Sequence, residues 1–166
     1  MKPIVWLAAA GAFSACAVGA SIATGFYNPF DSKMTRICED MLTDRLRSPS
    51  SYRRIEISHY SDQIPVEEFR KIKEAEIVND KDYVTLKRIL DLTIGSMSKN
   101  HLPVMFKKYI KYDADNAYGT PIRGLAECTL LAENGKESSA SVFDVRLDGT
   151  TKTEYLTKLI LESQQN

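Results

Sequence analysis

Residues 112 to 119, YDADNAYG, place two carboxylates, an amide and a glycine within eight positions. Two chemistries use such a set, a calcium loop and an acid–base pair. A calcium loop of the EF-hand kind takes oxygen ligands from alternate positions and needs a glycine directly after the third. Asp113 and Asp115 fit the first two ligands, but Ala117 fills the third and the glycine comes too late, at 119. An acid–base pair needs a cleft and a partner from elsewhere in the chain. The stretch itself supplies neither. The residue types instead suit a connection between antiparallel strands, because Asp and Asn bond their own backbone and glycine accepts a positive φ. Asp113, Asn116 and Gly119 are therefore read as a structural hairpin.

The other reactive residues are sparse. His59 and His101 stand apart, without the spaced Cys, His or carboxylate partners of a zinc site. No phosphate loop, nucleophile elbow or HExxH occurs, so neither a metal nor a cofactor is expected. Lys99, Lys107, Lys108 and Lys111 form a basic group without acids between them. A solvated strand edge guarded by lysine accounts for it, and anionic lipid is the sharper alternative. The overall balance of 22 basic and 22 acidic residues gives no field that would favour nucleic acid.

Charge is not evenly spread. Residues 1 to 30 hold one charged side chain, Lys2, and the stretch from Ile4 to Tyr27 holds none in 24 residues. As a helix it would span about 36 Å, enough to cross a hydrocarbon core of about 30 Å. An uncleaved anchor over residues 4–27 is the reading its length favours. A cleaved signal segment, cut near Ala17 or Ala20, is the second, and a lipoprotein processed at Cys16 the third. Each implies export. The sole positive side chain before the span predicts an N-terminus inside and residues 31–166 outside, in the periplasm of a bacterial inner membrane. Gly11, Ala15, Gly19 and Ala23 recur every four residues and would permit another helix to approach closely.

That leaves Cys38 and Cys128 for the outer domain. Met34, Ile37, Cys38, Met41 and Leu42 make one stripe of a helix from about Ser32 to Leu46, ended by RSPSS before Pro49. Residues 52–60 alternate as a strand. A helical insertion fills residues 61–102, one helix beginning at Pro65 and a second from about Asp80 to Ser98, with Asn79 and Asp82 placed to cap it. Its Tyr83, Leu86, Ile89, Leu90, Ile94 and Met97 form a broad apolar arc that Val84 and Leu92 fall outside. Period-two patterns at 104–112, 121–132 and about 139–147 read as three further strands, with ENGK as a hairpin turn. Ile122, Ala126, Cys128 and Leu130 share one face of the second, and Phe143, Val145 and Leu147 point inward from the third. Thr151 and Glu154 form a capping box before a last helix whose Leu156, Leu159 and Ile160 can dock on the sheet. The expected fold is α+β, a small antiparallel sheet of about four strands packed by helices. Cys38 and Cys128 both face inward in an oxidising compartment, so a disulfide is expected ahead of a nucleophile–histidine pair.

CEDMLTDRLRSPSSYRR, followed later by YDADNAYGTPIRGLAECTL, resembles a small domain of bacterial exported proteins that carries no established activity. The matching positions are Cys38, Arg47, Ser48, Pro49, Ser50, Asp113, Ala114, Asn116, Ala117, Gly119, Arg123 and Cys128. Ser51, Asp115 and Tyr118 depart from its Thr, Gln and Phe, and residues 61–100 are longer than its usual helical stretch. The resemblance implies a fold and no chemistry. The functional expectation is a membrane-anchored periplasmic binding or assembly module of an envelope or secretion complex, with an unidentified envelope protein as partner; a hydrolase-like periplasmic enzyme is the alternative. Mass spectrometry of the mature protein should find an N-terminus at or near Met1. A start between Val18 and Thr24 would replace the anchor with a signal peptide.

Overall fold

A computed structural model describes residues 31–97 and 102–165. The expected membrane span, its small-residue stripe, Lys99 and His101 lie outside the described residues. Among the described residues no helix is long and apolar enough to cross a membrane.

Among the described residues four α-helices and four strands follow in chain order: α1 Lys33–Arg45, β1 Arg53–Gln63, α2 Val66–Ile77, α3 Tyr83–Ser96, β2 Val104–Asp115, β3 Pro121–Ala132, β4 Arg146–Leu147 and α4 Lys152–Ser163. The strands make one antiparallel sheet in the order β1-β2-β3-β4. Residues directly opposite one another share a face of the sheet. Ile57, Ile110 and Ala126 are thus aligned on one side, with His59, Lys108 and Cys128 beside them.

On that side lies α1. Ser32 caps it, its hydroxyl accepting from the Thr35 amide. Met34, Cys38, Met41 and Leu42 are buried against Ile110, Ala126, Cys128, Leu130, Val145 and Leu147. The helix crosses the strands rather than following one. Its tethers run in chain order from Asp31 on Arg54 of β1, through Thr35 on Lys108 of β2 and Cys38 on Cys128 of β3, to Arg45 on Leu147 of β4. Cys38 and Cys128 stand at disulfide distance, with Cα atoms 6.1 Å apart.

A second core forms elsewhere. Phe69 of α2, fully buried, gathers Ile64, Ile72, Ile77, Leu90, Ile94 and Met97 with Met105 and Leu131. Met105 and Leu131 alternate with the residues beneath α1, so the α2–α3 pair covers one end of the opposite face.

Several boundaries differ from the sequence expectation. β2 runs on to Asp115, and Asp82 precedes α3 without a side-chain cap. Ile89 is 54% exposed, outside the Phe69 cluster. The strand expected over 139–147 shrinks to Arg146–Leu147. The ENGK turn, with Gly135 at φ 68°, leads instead into a short 3-10 turn at Glu137–Ser139. Buried Ala140 and a turn in which Ser141 accepts from the Asp144 and Val145 amides hold this segment to the core without a ladder. Phe143 is consequently exposed. Ile122 is exposed too, beyond the reach of α1, and between them the face is filled by Tyr112 lying over Gly124. A Cβ at 124 would meet the Tyr112 ring at 2.4 Å, so any larger residue there has to displace the ring.

The last helix has its capping box at Thr151 and Glu154. It does not dock on the sheet as expected, because α1 already fills that face. Its first turns rest on the end of α1 instead: the Arg45 guanidinium lies 4.5 Å from the Tyr155 ring centre and Lys152 pairs with Asp44 at 2.7 Å. Leu156, Leu159 and Ile160 remain 47%, 42% and 58% exposed.

Bonding Cys38 to Cys128 links residues 90 apart. The chain-entropy model assigns a loop of that size about 4 to 5 kcal/mol, an upper figure for real bridges. Thiol titration of unreduced, denatured protein should find neither cysteine free. Replacing both by alanine should lower stability by roughly 2 to 5 kcal/mol. Two free thiols at these positions, or an unchanged melting temperature, would count against the bridge.

Candidate functional site

The densest polar group in the described structure centres on Lys108, a residue the sequence reading left on a solvated edge. β2 is an interior strand, and Lys108 falls in phase with Phe106, Ile110 and Tyr112, which face α1. It is 3% exposed. Lys107 and Lys111 point to the opposite, open face. The alternation Phe106-Lys108-Ile110-Tyr112 is the sequence signal that separates Lys108 from Lys107 and Lys111.

A buried ammonium must be paired and hydrogen-bonded. Lys108 Nζ donates to Ser32 Oγ at 3.0 Å and Thr35 Oγ1 at 2.9 Å. It lies 2.8 Å from Glu137 Oε1 and 3.0 Å from His59 Nδ1. Ser32 also donates to Glu137. Four elements meet at this one nitrogen: the start of α1, β1, β2 and the 3-10 turn after β3. Burial alone would raise the Glu137 carboxyl, but hydrogen bonds from Lys108 and Ser32 and the Lys108 charge hold it below its ordinary value. Burial and then the Lys108 charge push His59 below its ordinary value.

A second polar group flanks the same helix. Tyr52 Oη donates to Glu39 Oε1 at 2.7 Å, and Arg54 reaches Asp31 at 2.9 Å and Glu39 at 3.4 Å. Burial raises the Glu39 carboxyl, against the hydrogen bond from Tyr52 and the Arg54 charge.

The acidic stretch that opened the sequence reading lies away from both groups. Asn116 and Gly119 sit in the five-residue connection 116–120 between β2 and β3. Asn116 Oδ1 accepts from the Tyr118 and Thr120 amides at 2.8 and 3.0 Å, and Gly119 has φ 75°. Asp113 is not in the turn. It lies inside β2, where Arg123 of β3 grips it at 2.8 and 3.0 Å and Arg53 of β1 reaches it at 3.3 Å. Those arginines lower its pKa, the Arg123 hydrogen bond most. Ser51, after Pro49, accepts the Asp115 amide at 2.7 Å and so ties the RSPSS run to this end of the sheet. The residues that carry the resemblance are thereby brought into two places, the Cys38–Cys128 link and the Ser51–Asp113–Arg123 end. No group of three His, Cys, Asp or Glu residues fit to hold a metal occurs among the described residues.

Chemically, a serine hydroxyl 3.0 Å from a lysine nitrogen is the pairing of a serine nucleophile with a lysine base. Here the hydroxyl is already committed to the Thr35 amide, Lys108 and Glu137. A lysine ion-paired to a carboxylate has no lone pair free to take a proton. The adjoining cavity, between His59, Tyr60, Phe106 and Glu137, measures about 120 Å³, against about 300 Å³ for small ligand sites. The arrangement holds α1 to the sheet better than it would turn over a substrate. No family model, curated protein or solved structure matches the chain.

The two neighbouring lysines should separate cleanly in melting experiments. Lys108→Met leaves Glu137 and two hydroxyls without their donor and should cost about 2 kcal/mol or more. Lys107→Met, on the open face, should change stability by no more than about 0.5 kcal/mol. Equal effects would return Lys108 to the surface.

Proposed function

We propose that the chain is a bacterial envelope protein that holds a small binding or assembly domain on the outer side of the inner membrane. The uncharged stretch Ile4 to Tyr27 supports the anchor, and Lys2 before it supports the orientation. The observation that carries the binding role is α4. Leu156, Leu159 and Ile160 are each at least 42% exposed, on a helix held to the domain through its first turns. Beside them a groove of about 310 Å³ opens between α1 and α4, lined by Met41, Arg45, Tyr155, Leu156 and Leu159. Contiguous exposed apolar surface of this kind marks contact with another molecule. The partner is another envelope protein.

A hydrolase is the second reading, favoured by the Ser32–Lys108 distance of 3.0 Å alone. The two separate in one experiment on the full chain, solubilised from membranes in detergent. Leu159→Lys with Ile160→Glu should leave the melting temperature within about 2 °C, since surface changes cost little, and should abolish recovery of cross-linked partners. A fluorophosphonate probe should leave Ser32 unlabelled. Labelling that is lost in Ser32→Ala would establish the hydrolase, and unchanged partner recovery in the α4 variant would remove α4 from the interface.

A further inference from the structure

The Lys108 group contains more acceptors than its lysine can serve at once. An ammonium has three N–H bonds, yet Ser32 Oγ, Thr35 Oγ1, Glu137 and His59 Nδ1 all lie within 3.0 Å of Nζ. Three of the four belong to residues at least half covered by the fold. His59 is the exception: it is an exposed residue on the edge strand β1, its ring only partly covered at Lys108. To accept from Lys108, Nδ1 must be bare, which places the imidazole proton on Nε2. Protonating Nδ1 turns the acceptor into a donor and sets two cations in direct contact.

We infer that His59 makes this group an acid-sensitive latch on the N-terminal end of α1. The charged groups that act on the ring are Lys108 from β2, Glu137 from the turn after β3, Asp31 ahead of α1 and Arg54 from β1. At neutral pH the bare Nδ1 helps fix Lys108, which in turn holds the Ser32 cap and Thr35. On proton uptake the ring leaves Nζ for solvent, and Glu137 moves with the charge that remains. Lys108 then holds Ser32 and Thr35 less rigidly, and the first turn of α1 loosens. The ring can leave because His59 is an exposed residue and β1 is an edge of the sheet. The lowered pKa of His59 agrees in sign. The unfolded ring takes its proton near 6.5 and the folded ring only at lower pH, so stability falls as the pH drops from above 6.5 to the folded value. The first turn of α1 directly follows residues 1–30, so this device acts where the domain meets that segment. It stands independently of what the domain binds.

The test is NMR of the full chain in detergent micelles between pH 5 and 8. Two probes are read together: the His59 ring, and the Thr35 amide that donates to Ser32 Oγ. His59 should titrate below 6.5, and the Thr35 amide should follow with the same midpoint. In His59→Gln, whose side chain cannot titrate, the Thr35 amide should stay flat over that range. Full-chain protein with its native His59 already decides the matter if the variant fails to fold. A ring that titrates at or above 6.5 would overturn the latch, and so would a Thr35 amide indifferent to the ring. A Thr35 midpoint that persists in His59→Gln would assign the effect to another group and overturn it equally.

Discussion

A helix laid across a sheet, rather than along it, must be held at each strand it passes. The whole described structure depends on how α1 meets that constraint. Its tethers differ in kind: an ion pair at β1, a buried ammonium at β2, a cysteine pair at β3 and backbone carbonyls at β4. The differences follow from where the helix lies. Over the middle of the sheet the surroundings are apolar, so Cys38 meets Cys128 among Ile110, Ala126 and Leu147. Toward the β1 edge Arg54 pairs with both Asp31 and Glu39. Lys108 stands at the boundary between these regimes and is the most heavily bonded.

The rest of the chain arranges itself around this brace. With α1 on one face, α2 and α3 take the end of the other, through Phe69 and Met105. The segment after β3 cannot form a full strand because it must bring Glu137 back to Lys108 and bury Ala140. Finding the inner face occupied, α4 is left beside Arg45 with its leucines outward. The exposed apolar surface proposed for binding is thus a consequence of the same constraint.

Local signals were legible in the sequence where one residue type decides the structure. The Thr151–Glu154 capping box, the turn at Asn116 and Gly119 and the stripe through Met34, Cys38 and Met41 each follow from short-range chemistry. The four-stranded antiparallel sheet follows from period two. What escaped the sequence depends on neighbours far along the chain. Lys108 is buried only because the start of α1, with Ser32 and Thr35, His59 of β1 and Glu137 come together from three other places. Asp113 leaves the turn because Arg53 and Arg123 flank it across two strands. The sequence pattern points Phe143 inward, sets Ile122 on one face with Ala126 and Cys128, and lets Leu156 and Leu159 of α4 dock on the sheet. All four are exposed, because pattern alone does not show how far α1 covers that face.

Native-state hydrogen exchange at neutral pH, followed through increasing denaturant, tests the brace most directly. If α1 is fixed to all four strands, its amides from Ile37 to Leu42 should open in the same cooperative step as the central amides of β2 and β3, while the second half of α4 exchanges far earlier. Exchange of the α1 amides together with α4, at denaturant concentrations where β2 and β3 remain closed, would contradict the account.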